Sequence, residues 1–320
     1  MKTDNISQAL LGELLCISDS KWVLGHWYVK VIPNGRSVPD FSSMAGMAQD
    51  ELGQTRAMLD YLEQSFDLPE NQLEFGRSVE DIHSMEILDA SPENWGDFVV
   101  TAFLAEQALW SVLEGFVGSS NAGLSNMCKK FSEEGYFHRL YVDGWMEALT
   151  DEEKQDAIKA MPKRLAHARQ WFNFGSDLLN EKDVRPWSAS EYREHFELGL
   201  GNLAKALSLG LPKANEFSGS WDGRRRRPEG SAMPAGLWEY VLPTTEAAQM
   251  ARRSLASQLR NPFASAHPLA NVTKSAKSSG MLTSSASRNS MIATRDREKS
   301  NWSMTSFKSE SSEITLSELA

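Results

Sequence analysis

The sequence predicts an all-α protein, a four-helix bundle with additional C-terminal helices, on two observations. Over three long segments the apolar residues recur at alternating spacings of four and three, the period of a helix face turned toward a core. Between segments the pattern stops at clusters of Gly, Pro, Asn and Ser, and the later connections are short enough for antiparallel neighbours.

Taken in order, the first periodic stretch is KWVLGHWYVKVI, residues 21–32, closed by Pro33-Asn34-Gly35; its branched residues leave a helix and a short strand both open. Asp40 stands where an N-cap belongs, and helix-forming composition follows as far as Gln64, with Met44, Ala48, Glu51, Thr55, Met58 and Leu62 on one face. Residues 68–95 are too polar and broken for one helix and read as a long connection with short elements. A third segment from Trp95 carries Val99, Phe103, Glu106, Trp110 and Leu113. A fourth carries Leu124, Cys128, Phe131, Gly135, His138, Val142 and Trp145. A fifth helix is expected over 151–180, kinked or divided at Pro162, and a sixth from Ser188.

Past residue 209 the composition changes. Residues 211–260 read as an Arg-, Gly- and Pro-rich surface excursion followed by a short helix over 244–259 packing on the 1–210 bundle. Residues 261–320 read as a disordered tail: 271–320 holds 14 serines and little apolar periodicity, so burial there does not offset ordering entropy.

The chain has 320 residues and a formal net charge of -10, which argues against nucleic acid as a partner, since phosphate contacts need a concentrated basic face. Cys16 and Cys128 are too few for a disulfide scaffold and read as free thiols. The N-terminus lacks a secretory pattern, so a cytoplasmic location is expected. The most apolar run, FVVTAFLAEQALW, is interrupted by Glu106 and Gln107, so no membrane association is expected. No Walker loop, dinucleotide fingerprint or nucleophile elbow occurs.

The chemistry, if any, lies in Glu51, Glu106 and His138, three ionisable residues on three apolar stripes. Buried carboxylates are costly unless paired, protonated or metal-bound. A carboxylate-bridged di-iron bundle takes a Glu from each of two helices and a Glu-x-x-His pair from each of the other two, the spacing of three setting both ligands on one face. Here the pairs are broken: Glu51 is followed at that spacing by Gln54, and His138 is preceded by Gly135, with Glu134 one residue displaced. The first segment offers His26 but no carboxylate between Lys21 and Ile32.

The stretches MAQDELGQTRAMLDYLEQ (47–64), WGDFVVTAFLAEQALWSVLEGF (95–116) and FSEEGYFHRLYVDGWMEAL (131–149) resemble the ferritin-like phenylacetic acid catabolic family, most of all the non-catalytic structural subunit of the multicomponent phenylacetyl-CoA epoxidase. The likeness covers roughly residues 15–210. By position it sets Glu51 on the family's helix-two glutamate, Gln54 on its helix-two histidine, Glu106 on the helix-three acid, His138 on the helix-four histidine and Gly135 on the missing helix-four glutamate. Gln54 and Glu134 are features of the structural subunit. The resemblance implies a degenerate metal site with no catalytic residue and no cofactor, and a hetero-oligomer with a ferritin-like catalytic subunit; a homodimer stays open. The region from 222 matches loosely, and the tail beyond Arg260 has no counterpart in the family.

Plainer readings stand beside these. Glu51 pairs with Arg56 or with a base on another helix, Glu106 accepts from His138 without any metal, and His26 is a packing residue. Arg224, Arg225, Arg226 and Arg227 form either a solvated loop or a contact for an acidic partner or the phosphates of CoA, which guanidinium groups suit. The alternatives to a structural subunit are a divergent metal-dependent oxygenase with an atypical iron site that includes Glu134, and a non-enzymatic helical interaction module.

Overall fold

Helix α1 spans Asn5–Val31, beginning well before the stretch in which a strand was still open. Most of its residues from Leu10 to Tyr28 are buried, polar ones included, so it lies inside the protein and shows no amphipathic stripe to mark its start. A 3-10 turn, Ile32–Asn34, leads to α2 (Val38–Phe66). The N-cap of α2 is Ser37, whose side chain accepts from the Asp40 amide; the expectation of Asp40 in that role is corrected by three residues, and Asp40 lies in the first turn, where a carboxylate favours the helix dipole. The computed structural model describes residues 5–213 and 218–241. The helix expected over 244–259 and the tail from 261 lie outside the described residues.

The expected connection holds α3 (Glu70–Phe75) and two 3-10 turns. Then come α4 (Trp95–Glu114), α5 (Ala122–Glu147) and α6 (Asp151–Gln170). Helices α1, α2, α4 and α5 build a ferritin-like bundle; α1 pairs most closely with α2, and α4 packs against both α5 and α6. By length and composition α4 is long and apolar enough to cross a membrane, but 94% of its most apolar stretch is buried inside the fold, as in any core helix.

Pro162 lies inside α6 without dividing it. The roughly 3 kcal/mol an interior proline costs is outweighed by the burial of Met161 and Leu165 and by a fork from Arg164 to both oxygens of Asp97 at 2.8 Å. The helix stops at Gln170 rather than near 180, and Trp171 and Phe172 turn into the core. Next are α7 (Leu178–Glu181), α8 (Ala189–Gly199), opened by a Ser188–Glu191 capping box, and α9 (Gly201–Leu207). The expected sixth helix is thus two, divided at Leu200 between glycines, the weakest helix formers after proline. A two-stranded antiparallel hairpin, β1 (Trp221–Asp222) with β2 (Arg227–Pro228), and α10 (Ala235–Val241) complete the described chain.

One glycine decides how closely α1 meets α2. A Cβ on Gly25 would lie 2.9 Å from Leu52 Cγ and 3.1 Å from Glu51 Cβ, so only glycine permits the approach that carries α1 past Glu51.

Candidate functional site: a buried charge cluster

Four helices each send charged or polar groups to one place. Glu51 from α2, Glu106 from α4 and His138 from α5 are all buried, and their ligand-type atoms lie within 4.8 Å of one another. The sequence expectation that these three converge is met. From α1 comes Lys21, 3% exposed, with Nζ 2.9 Å from Glu51 Oε1. Tyr28, one heptad further along α1 and so on the same face, donates to Glu106 Oε1 at 2.6 Å. His138 Nδ1 is 3.1 Å from Glu106 Oε1 and 3.4 Å from Glu51 Oε1, while Nε2 faces the half-exposed Asp50 at 3.2 Å.

Burial alone would lower the pKa of His138, but the charge of Glu106 and the hydrogen bonds the ring donates to Asp50, Glu106 and Glu51 outweigh it and hold the imidazole well above its usual range. Burial likewise pushes Glu106 up, and the His138 charge and hydrogen bond, with Lys21 and Tyr28, bring it below the usual carboxylate range. Burial, then the Glu106 charge, raises the Tyr28 phenol well above its ordinary value and keeps it a donor. The innermost charges therefore cancel: Lys21 and His138 against Glu51 and Glu106.

The remaining expected positions lie beside this cluster. Gln54 Nε2 donates to Glu134 Oε2 at 2.8 Å, which ties these two together beside the cluster. A Cβ on Gly135 would meet Trp110 Cδ1 at 3.9 Å, and the Trp110 ring is covered by the Arg139 guanidinium, 3.3 Å from its centroid. His26 Nδ1 lies 2.8 Å from the Trp22 carbonyl of its own helix. Arg56 stands by Asp60 and Glu74, so the base that meets Glu51 is the one on another helix. A cavity of about 180 Å³ reaches Glu106 between α4, α5 and the α8–α9 break, with Arg139 and Asp143 on its wall.

This donor set does not fit a dinuclear iron centre. Among the described residues, three metal-ligating side chains converge where such a centre needs more, and an ammonium already stands at the Glu51 carboxylate. Glu51 Oε2 and Gln54 Oε1 are buried without a hydrogen-bond partner, which leaves acceptor capacity for a water or a single cation.

Sequence reasoning missed Lys21, Tyr28 and Asp50. The Lys21–Gly25–Tyr28 spacing of four and three was a signal for the first two, once the stretch is taken as a helix.

The expectation of a four-arginine surface patch is corrected. Arg226 and Arg227 are buried, and Arg227 forks onto Asp89 at 2.7 and 2.8 Å and donates to the Ser84 carbonyl at 2.8 Å. Arg225 is half-buried against Asp222 and the Ser231 carbonyl, and Arg224 is exposed. Long-range acids draw the loop inward, which local composition does not reveal. Cys16 and Cys128 are free and buried, and burial pushes both thiols up to about 12.

A ferritin-like bundle with a buried ionic core is thus the class that fold and site define. The model of the phenylacetic acid catabolic protein family matches residues 1–255, and the chain belongs to that family. The protein is accordingly involved in phenylacetate catabolism. Comparison with curated proteins finds no match.

Proposed function

We propose that this chain is a non-catalytic structural subunit, or a paralogue of one, in a multicomponent phenylacetyl-CoA epoxidase complex, where it supports a ferritin-like di-iron partner. One observation carries the reading: the place where a catalytic bundle needs metal charge is filled by the chain's own cations, Lys21 and His138, which neutralise Glu51 and Glu106. A catalytic metal needs ligands free to bind it and an open position for oxygen, whereas each carboxylate of this cluster already faces a cation through its Oε1.

The partner surface in this proposal is the outer face of α5. Tyr136, Phe137, Leu140 and Tyr141 are each about half exposed and follow one another at helical spacing. Together they offer roughly 400 Å² of apolar surface, about half of the ~800 Å² each side contributes to a standard interface. Co-expression with an ExxH-containing relative tests both parts. Wild-type chain co-purifies with it, whereas Phe137→Asp, which changes the isolated fold by less than about 0.5 kcal/mol, loses the complex. A chain that stays alone in every such co-expression contradicts the proposal.

A second reading, an atypical metal-dependent oxygenase, is favoured by the unpartnered Glu51 Oε2 and Gln54 Oε1 and by the cavity that reaches Glu106. Oxygen uptake by the isolated chain with reductant and an aromatic CoA thioester would support it.

A further inference from the structure

A second buried ionic cluster lies on the N-terminal half of α1. Arg185 is fully buried; its Nη1 donates to Glu13 Oε1 and its Nη2 to Asp177 at 2.7 Å. Glu13 Oε2 faces Nη2 of Arg226 at 3.2 Å, an ion-pair contact without hydrogen-bond geometry. Arg226 is 1% exposed, with its guanidinium 4.0 Å from the Phe174 centroid and 4.9 Å from that of Trp171. Neither Nη1 nor Nη2 of Arg226 makes a hydrogen bond, and Glu13 Oε2 has none either. A guanidinium presents a fork of donors, and leaving these buried and unmade is costly. The backbone reinforces the point: Arg226 has φ 54°, a left-handed conformation that side-chain-bearing residues hold only when their surroundings enforce it.

Arg226 lines a cavity of about 230 Å³, together with Ala9, Glu13, Phe174, Gly175 and Arg224. One wall is backbone on backbone, since a Cβ on Gly223 would lie 2.3 Å from Gly175 Cα. The charged residues that line the cavity are Arg224, Arg226 and Glu13, which leaves one positive charge in excess.

We propose that this cavity is a binding site for a small monocarboxylate. The two carboxylate oxygens take Nη1 and Nη2 of Arg226, neither of which is hydrogen-bonded, in the planar match that guanidinium makes best. A single negative charge cancels the single excess positive one. The apolar body of the ligand lies along Ala9 and Phe174, and the volume, below the range of drug-sized pockets, keeps that body small. The site is separate from the Glu51 cluster and stands whether or not the chain serves a catalytic partner.

The test is calorimetric titration of the full chain with phenylacetate and with acetate, with inorganic phosphate as competitor. Phenylacetate binds saturably at one site per chain and acetate more weakly. Ala9→Phe, which fills the cavity and leaves the ion pairs in place, weakens phenylacetate binding at least about tenfold, and Arg226→Gln does the same, as loss of a charge-assisted pair requires. Circular dichroism checks the fold of both variants, and if Arg226→Gln fails to fold, Ala9→Phe decides alone. Absence of saturable heat with wild-type chain overturns the proposal, as does binding that Ala9→Phe leaves unchanged. Phosphate displacing phenylacetate at equal concentration overturns the carboxylate assignment.

Discussion

Glu13 and Lys21 stand about two turns apart on α1, and each anchors a buried ionic cluster, but the two clusters are balanced differently. At Lys21 the cations and anions cancel, the Glu106 and His138 groups hold each other charged, and the Lys21, Tyr28 and His138 contacts converge on two carboxylates. At Glu13 one carboxylate is shared by two guanidiniums, hydrogen-bonding capacity is left over, and a cavity adjoins it. A neutral network holds helices together, whereas one with a charge in excess beside a cavity is built to receive something. Family membership alone points to the first place; donors and charge point to the second.

The comparison breaks most readily at Lys21. Replacing it with Ala leaves Glu51 and its neighbours with uncompensated buried charge, and a loss of about 3–5 kcal/mol is expected, read as a lowered denaturant midpoint at unchanged slope. A loss under about 1 kcal/mol, the level of surface ion pairs, would mean that Lys21 does not balance the buried carboxylates as described.

The pH dependence sharpens the same point. The folded pKa of His138 is raised above the unfolded value of about 6.5, so its stabilisation is fully present below that pH and is lost as pH rises through the folded value. Glu106 is depressed below its unfolded value of about 4.3, so its contribution is present above that pH and is lost as pH falls through the folded value. Stability measured against pH therefore shows an alkaline decline that His138→Gln removes. An alkaline limb of equal size in that variant would assign the decline to other groups.

Tyr28→Phe removes the donor to Glu106 and leaves the ring in place. A cost of about 1–3 kcal/mol is expected, because the acceptor is charged and buried. The smallest effect is expected at Gln54→Ala, about 0.5–1.5 kcal/mol for one amide hydrogen bond to the part-exposed Glu134. If the Gln54 change proved larger than the Lys21 change, the balance point of the core would lie elsewhere.

Much of this was legible in the residues. The four-and-three stripes of α2, α4 and α5 brought Glu51, Glu106 and His138 inward together, because side-chain direction follows helix period. The first helix was not legible in the same way. It is buried nearly all round, so its apolar pattern has no single face, and its share of the site, Lys21 and Tyr28, went unread. Asp50 is half-exposed beside a buried Glu51, and nothing in spacing marks it as the partner of His138 Nε2. The arginine run was misread because Gly, Pro and Arg usually mean surface; Asp89 and Glu13, more than a hundred residues away, set its burial.

On the proposed function, Lys21 and His138 supply the positive charge that a metal would otherwise bring to this bundle. Iron quantification on the full chain, purified without chelators from iron-replete cells, tests it most directly. The account predicts far less than one iron per chain. A stoichiometric dinuclear centre, with the spectrum of carboxylate-bridged iron, would contradict it.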